Sequence, residues 1–306
     1  MKTLEEYGRF REKNGTVGHR IRYGFLFRCS HSLTQSFLFF LLFFSLLWGN
    51  RNSYALENLR FMNLVPENGL SSGNVLCFLQ DYTGYMWIGT AEGLNRYDGR
   101  QFKPYQHVRG DTSSLSGNYI NTLLEDSGKN LWIGLNNGLC RYNRDLDRFD
   151  RIDFATDNSP SFTYNVSFLF EDRQKRLWIG TNHGAFFFDR ENDKFLPFQE
   201  KWIEGGEITQ IGADSAGNLL ISVNDKGLFL FDISGNWIER YHSGHPLFST
   251  RENNIIAFAL DREDRIWLGY YSQGAAVIDR SAKTITHFQH SDTDENSLLS
   301  NQVSTL

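Results

Sequence analysis

An all-β fold made of repeated four-stranded blades is what this 306-residue sequence predicts, and three observations predict it. The segments YMWIGTAEGLNRYD (85–98), NLWIGLNNGLCRYN (130–143) and RLWIGTNHGAFFFD (176–189) are near-copies spaced about 45 residues apart. Inside each copy apolar and polar residues alternate with period two, which suits a strand with one buried face. Nowhere does a capping box lead into an i, i+3, i+4 apolar series, so helical repeats of similar length are disfavoured. Four short antiparallel strands per repeat make the blade of a β-propeller.

The N-terminus stands apart from the repeats. Residues 1–36 carry Lys2, Arg9, Arg11, Lys13, Arg20, Arg22 and Arg28 against Glu5, Glu6 and Glu12, and the apolar block Phe37–Trp48 follows. Twelve apolar residues fall short of the roughly 20 that a membrane-spanning helix needs, so residues 1–55 read as a signal peptide with cleavage after Ala55, in Ser53-Tyr54-Ala55. An uncleaved signal anchor is the alternative. The propeller is then expected over 56–306, exported to the periplasm.

Each blade is justified by a fixed frame. A turn aspartate (Asp81, Asp126, Asp172, Asp214, Asp261) precedes by six positions an inner-strand residue that is Trp87, Trp132, Trp178, Leu220 or Trp267. Two positions on stand Gly89, Gly134, Gly180, Ser222 and Gly269, and a second glycine follows at Gly93, Gly138, Gly184, Gly227 and Gly274. The aspartates should cap the turn between first and second strands, the indoles should pack between blades, the first glycines should allow close backbone approach, and the second glycines should serve a tight turn. Fourth strands are expected around Phe102, Phe149, Phe195 and Ile238. Because the fourth copy has Leu220 and Ser222, its blade is expected to pack less tightly.

At the ends, NLRFMNLVPENGLSSGN predicts a fourth strand at 59–64 offered to the last blade, while SLLSNQVSTL repeats the start of a copy and stops in its first strand at Leu306. Five complete repeats and the start of a sixth therefore form either a ring with a patched seam or, as expected here, the beginning of a longer propeller.

Composition excludes more than it assigns. A net charge of −5 gives no ground for nucleic-acid binding. Cys29 falls in the leader, and Cys77 and Cys140 lie in strands of different repeats, which suits packed thiols; no metal-ligand spacing and no cofactor motif is present. His107, His183, His242, His245, His287 and His290 are not expected to recur at one blade position facing a common centre, so no convergent acid–base set is predicted and catalysis is not expected. Candidate ligand contacts are the second-to-third-strand loops, with Glu92, Asn136, Asn137, Asn182, His183, Asn224, Asp225 and Tyr271. Asn, Asp and aromatic groups there suit sugar hydroxyls and sugar faces, though Asn and Asp are also ordinary turn formers.

The run NGLSSGNVLCFLQDYTGYMWIGTAEGLNRYDGRQF, with its copies, resembles the two-component regulator propeller repeat. The resemblance implies a periplasmic sensor of a hybrid two-component system: a signal peptide, two seven-bladed propellers, then a membrane helix, a kinase and DNA-binding parts. Five copies in place of about fourteen, with no kinase segment, make the chain similar to an N-terminal piece of such a sensor, with membrane contact only through the signal segment or a helix outside this sequence. The implied ligand is an oligosaccharide, and the implied partner is a second propeller in a homodimer. A partner-docking platform without small ligand and a secreted propeller lyase are the other readings. An exposed aromatic cluster at Trp202 or Trp237, both outside the Trp column of the repeat, would favour docking over sugar sensing; both residues would equally suit gap-filling between blades.

Overall fold

The computed structural model describes residues 63–154, 164–189 and 194–306. The leader, its cleavage site and most of the predicted strand 59–64 lie outside them; Asn63 and Leu64, at that strand's end, are not in a strand. Residues 62–306 form one compact unit. Among the described residues no helix is long and apolar enough to cross a membrane.

Twenty strands make five antiparallel sheets, each with its strands in sequence order. Blade one holds β1 (Val75–Gln80), β2 (Met86–Thr90), β3 (Gly93–Tyr97) and β4 (Phe102–Tyr105). Blade two holds β5 (Ile120–Glu125), β6 (Leu131–Leu135), β7 (Gly138–Asn143) and β8 (Arg148–Ile152), and blade three β9 (Val166–Glu171), β10 (Leu177–Thr181), β11 (Gly184–Asp189) and β12 (Lys194–Pro197). Blade four holds β13 (Ile208–Ala213), β14 (Leu219–Val223), β15 (Gly227–Phe231) and β16 (Trp237–Tyr241), and blade five β17 (Ile255–Leu260), β18 (Ile266–Tyr270), β19 (Ala275–Asp279) and β20 (Thr284–Phe288). A single turn of 3-10 helix, Pro66–Asn68, precedes β1.

Four apolar clusters occupy the seams between successive blades. Trp87 packs with Ile120, Ile133 and Phe149 of blade two, Trp132 with Val166, Ile179 and Phe186 of blade three, and Trp178 with Ile208, Ile221 and Phe229 of blade four. The first glycine of each frame is the contact point. A Cβ on Gly134 would stand 2.7 Å from Val166 Cγ1, and one on Gly89 2.6 Å from Ile120 Cγ2, so a larger residue forces neighbouring blades apart. The second glycines have positive φ, from 80° at Gly274 to 141° at Gly93, which lets the chain turn after two residues in blades one to three and after three in blades four and five.

Every first strand begins with a β-bulge, which leaves Leu76, Asn121, Ser167, Thr209 or Ile256 unpaired and re-aims its side chain. The three polar ones cross the seam: Asn121 Nδ2 donates to Val166 O at 2.9 Å, Ser167 Oγ to Ile208 O at 2.5 Å, and Thr209 Oγ1 to Ile255 O at 2.9 Å.

The fourth blade corrects its expectation. β14 and β15 are buried at every residue, because Tyr241, Phe248 and Phe258 share the core around Leu220. Ser222 Oγ occupies the glycine position and bonds Ile255 O at 2.8 Å and Thr209 Oγ1 at 2.6 Å, converting a close approach into hydrogen bonds.

At the C-terminal end Val303 lies against Gly269 and donates its N–H to Tyr270 O at 3.0 Å, the seat that Ile120 and Val166 take on the blades before them. The expected first strand of a sixth copy does not form there: residues 301–306 have no ladder partner among the described residues.

Candidate functional site

The turn aspartates do more than cap. Asp81 Oδ1 accepts from the backbone N–H groups of Thr83 and Tyr85 at 3.0 and 3.1 Å, the expected Asx geometry. Its Oδ2 accepts the indole N–H of Trp87 at 2.8 Å, and the same bond recurs for Asp126–Trp132 (2.9 Å), Asp172–Trp178 (2.9 Å) and Asp261–Trp267 (3.1 Å). The constant six-residue spacing is the signal for this bond, which sequence reasoning did not find. Arg144 of blade two reaches back to Asp81 at 2.7 Å, and Arg280 of blade five reaches Asp214, where the indole is missing, at 3.1 Å. Burial pushes the Asp81 carboxyl up, but hydrogen bonds from Thr83, Arg144 and Trp87 outweigh it and hold it at about 2. Blades one and two also meet at Asp147, whose carboxylate accepts from Tyr105 and Tyr142 hydroxyls at 2.7 and 2.6 Å and from Lys103.

The predicted loop residues occupy one corner of each blade. In all five, the residue after the second strand donates its N–H to the carbonyl of the residue before or near the first strand, as in Ala91 to Asn74 and Asn182 to Asn165. Three amides are turned inward: Asn137 Nδ2 donates to Ser116 O at 2.7 Å, Asn182 Oδ1 accepts from Asn165 N at 2.9 Å, and Asn224 Nδ2 donates to Glu207 Oε2 at 3.0 Å. Glu92, Asn136, His183, Asp225 and Tyr271 are exposed. Asp225 supplies left-handed backbone at φ 57°, and the His183 ring lies against Tyr164. The five exposed groups belong to five separate turns, with no side-chain bond joining one to another.

Two of the six histidines share a place in the loop after the fourth strand. His107 and His290 occupy one blade position: each backbone N–H is bonded to an asparagine Oδ1 (Asn118 at 2.7 Å, Asn301 at 2.8 Å), and each Nδ1 lies within hydrogen-bond distance of a leucine carbonyl, Leu115 O or Leu298 O. The recurrence staples the long loop after the fourth strand. Among the described residues no His, Cys, Asp and Glu group has metal-binding geometry. Cys77 and Cys140 are free thiols, and burial pushes Cys77 up to about 12.

A cleft at blade four brings together residues that the repeat frame does not explain. It holds about 510 Å³ beside the outer strand β16, lined by Trp202, Phe229, Trp237, Ile238, Glu239, Arg240, His242 and His245. Trp202 is 44% and Trp237 55% exposed, while Phe229 forms a buried floor. Ile203 buries in the seam and so turns the adjacent Trp202 outward. The Trp pair thus borders a concavity with polar groups, and neither residue fills a gap between blades.

The two-component regulator propeller family model matches residues 69–92, 114–137 and 161–183. Over 60 residues the chain is 40% identical to histidine kinase P4 of Formosa agariphila, a stretch that is 20% of this chain and 4% of that protein. The extracellular domain named for the hybrid two component system BT3049 of B. thetaiotaomicron superposes with TM-score 0.55 at 20% identity, covering 79% of this chain and 38% of that one. Virginiamycin B lyase of Staphylococcus aureus, in a catalytically inactive form with quinupristin, superposes with TM-score 0.55 at 14% identity over 78% of this chain and 76% of that one. At these identities both likenesses show the β-propeller fold alone, and the chain spans a small part of the kinase it matches. The segments that match the two-component regulator propeller repeat fall on blades one to three, and blades four and five repeat the same frame.

Proposed function

We propose that this chain is the ligand-sensing propeller of a hybrid two-component system, exported to the periplasm and responding to an oligosaccharide. The observation that supports the reading is the family match over 69–92, 114–137 and 161–183, in blades one to three. The basic segment and apolar block before Ser53 support export, and the blade corners with exposed Asn136, His183 and Tyr271 offer polar and aromatic contacts. Phosphotransfer belongs to segments outside this sequence. The test is thermal unfolding of the full chain against a panel of neutral and acidic oligosaccharides. A concentration-dependent rise in Tm with one of them supports the reading, by the mass action of ligand on the folded state; no rise with any member at millimolar concentration overturns it.

A second reading, docking of a partner or of a second propeller, is favoured by one observation. Trp202 and Trp237, indoles outside the Trp column of the repeat, are 44% and 55% exposed, the aromatic cluster that favours docking. A Trp237→Asp variant that stays monomeric under conditions where the parent dimerises would support it, and a parent that is monomeric at all concentrations would remove it.

A further inference from the structure

The cleft of blade four runs along β16, from Trp237 at its start to His242 just past its end. There it meets the turn that carries Asn224 and Asp225: Lys226 Nζ donates to Trp202 O at 3.1 Å, and Arg240 Nε donates to Lys226 O at 2.7 Å. We propose that this cleft binds a carboxylated pyranose, the acidic unit of an oligosaccharide. The proposal rests on the oligosaccharide-sensor reading above and adds a site and a ligand class to it.

Three observations carry it. The first is the pair of exposed indoles beside the Phe229 floor. A pyranose has one face of C–H groups, which an indole face attracts through dispersion and its negative quadrupole, while the ring hydroxyls stay available to polar neighbours. The volume of about 510 Å³ lies inside the ~300–1,000 Å³ that small-molecule sites occupy.

The second is Arg240. Cross-strand register places it opposite Phe229, with its guanidinium carbon 5.3 Å from that ring's centroid. Its one hydrogen bond uses Nε, which leaves both terminal nitrogens of a cleft-lining guanidinium without a hydrogen-bond partner among the described residues, as a planar fork that suits a carboxylate. Arg151 of blade two, which stands opposite Cys140 at the matching register, has no such freedom: its side chain bonds Ser114 O, Asp111 O and Leu115 O. Arg240 is therefore not a repeat-wide structural group.

The third is where the opposing charge goes. Glu239, which also lines the cleft, has its carboxylate 3.1 Å from His245 Nε2, so its charge is directed to that ring. A second cation stands beside the indoles, with Lys201 Nζ 4.7 Å from the centroid of the Trp202 ring.

The test is titration calorimetry of the full chain with trisaccharides of galacturonate, mannuronate and glucuronate, each beside its carboxyl-reduced neutral counterpart. The parent should bind at least one acidic probe about tenfold or more tightly than its neutral form, the scale of one charge-assisted contact. Arg240→Gln should remove that preference and leave the neutral affinity in place, whereas Trp237→Ala should weaken both forms at least about tenfold by taking away a stacking surface. Thermal unfolding of each variant confirms the fold. Unchanged acidic binding in both variants overturns the cleft and leaves the sensor reading standing. Binding of neutral probes alone does the same, and binding of no probe removes both.

Discussion

Asp81→Asn isolates the inter-blade clamp. The substitution keeps an oxygen for the Thr83 and Tyr85 N–H groups but replaces Oδ2 with an amide nitrogen that faces two donors, Trp87 Nε1 at 2.8 Å and Arg144 at 2.7 Å. The Asp81 side chain is fully buried, and removing one partner of a buried ion pair costs about 3–5 kcal/mol. Arg144 keeps Glu125 at 2.9 Å, which places the cost near the lower end, about 3 kcal/mol. A compact unit of this size loses about 2–4 °C of Tm per kcal/mol, so the midpoint should fall by about 6–12 °C. Trp87→Phe deletes the indole donor while Arg144 and the backbone groups stay satisfied, so its polar loss is about 1.5–3 kcal/mol. Because both changes act on one network, the double variant should lose less than the sum of the singles. The assay is thermal unfolding by circular dichroism on the full chain. An Asp81→Asn midpoint within about 2 °C of the parent, against the 6–12 °C expected from the clamp, refutes the reasoning, and so does strict additivity with Trp87→Phe.

Leu220→Trp, which restores the consensus residue, should destabilise by about 1–3 kcal/mol, since Tyr241, Phe248 and Phe258 already pack the seam around Leu220; an unchanged or raised Tm would show room that the structure does not. Gly134→Ala should cost a similar ~1–3 kcal/mol, because its Cβ would meet Thr122 Cγ2 at 2.6 Å and Val166 Cγ1 at 2.7 Å; Val166→Ala in the same chain should recover part of the loss, and no recovery would remove the steric account. Asp81 and Asp147 are held at about 2 against an ordinary 3.8, so the stability they contribute is present above pH ~4 and is lost as pH falls from there towards 2. Tm measured at pH 5, 3 and 2 should drop in the parent and drop less in Asp81→Asn. A parent midpoint flat across that window would sink the assignment.

Blade number, strand order and the Asp, Trp and Gly frame are legible in the sequence because each is a local rule repeated five times: period two for strands, positive φ at Gly93 and its equivalents, an Asx turn at Asp81 and its equivalents. Val303 shows the limit of that local reading, since it takes the seat of a first strand but forms none without a neighbour to pair with. What tertiary structure decided lies between repeats. The bulge that sends Asn121, Ser167 and Thr209 across the seam, and the reach of Arg144 and Arg280 into preceding blades, join residues 41 to 66 positions apart, and alternation carries no information about such distances. The loop amides show the same limit. Asn137, Asn182 and Asn224 are equally turn formers and ligand groups by residue type, and only the chain in front of each first strand, at Ser116, Asn165 and Glu207, turns them inward. Trp202 and Trp237 stand out in the sequence as indoles outside the repeat column, but their joining with Phe229 and Arg240 in one cleft follows from a buried Ile203 and a bulged outer strand, which are properties of packing and not of pattern.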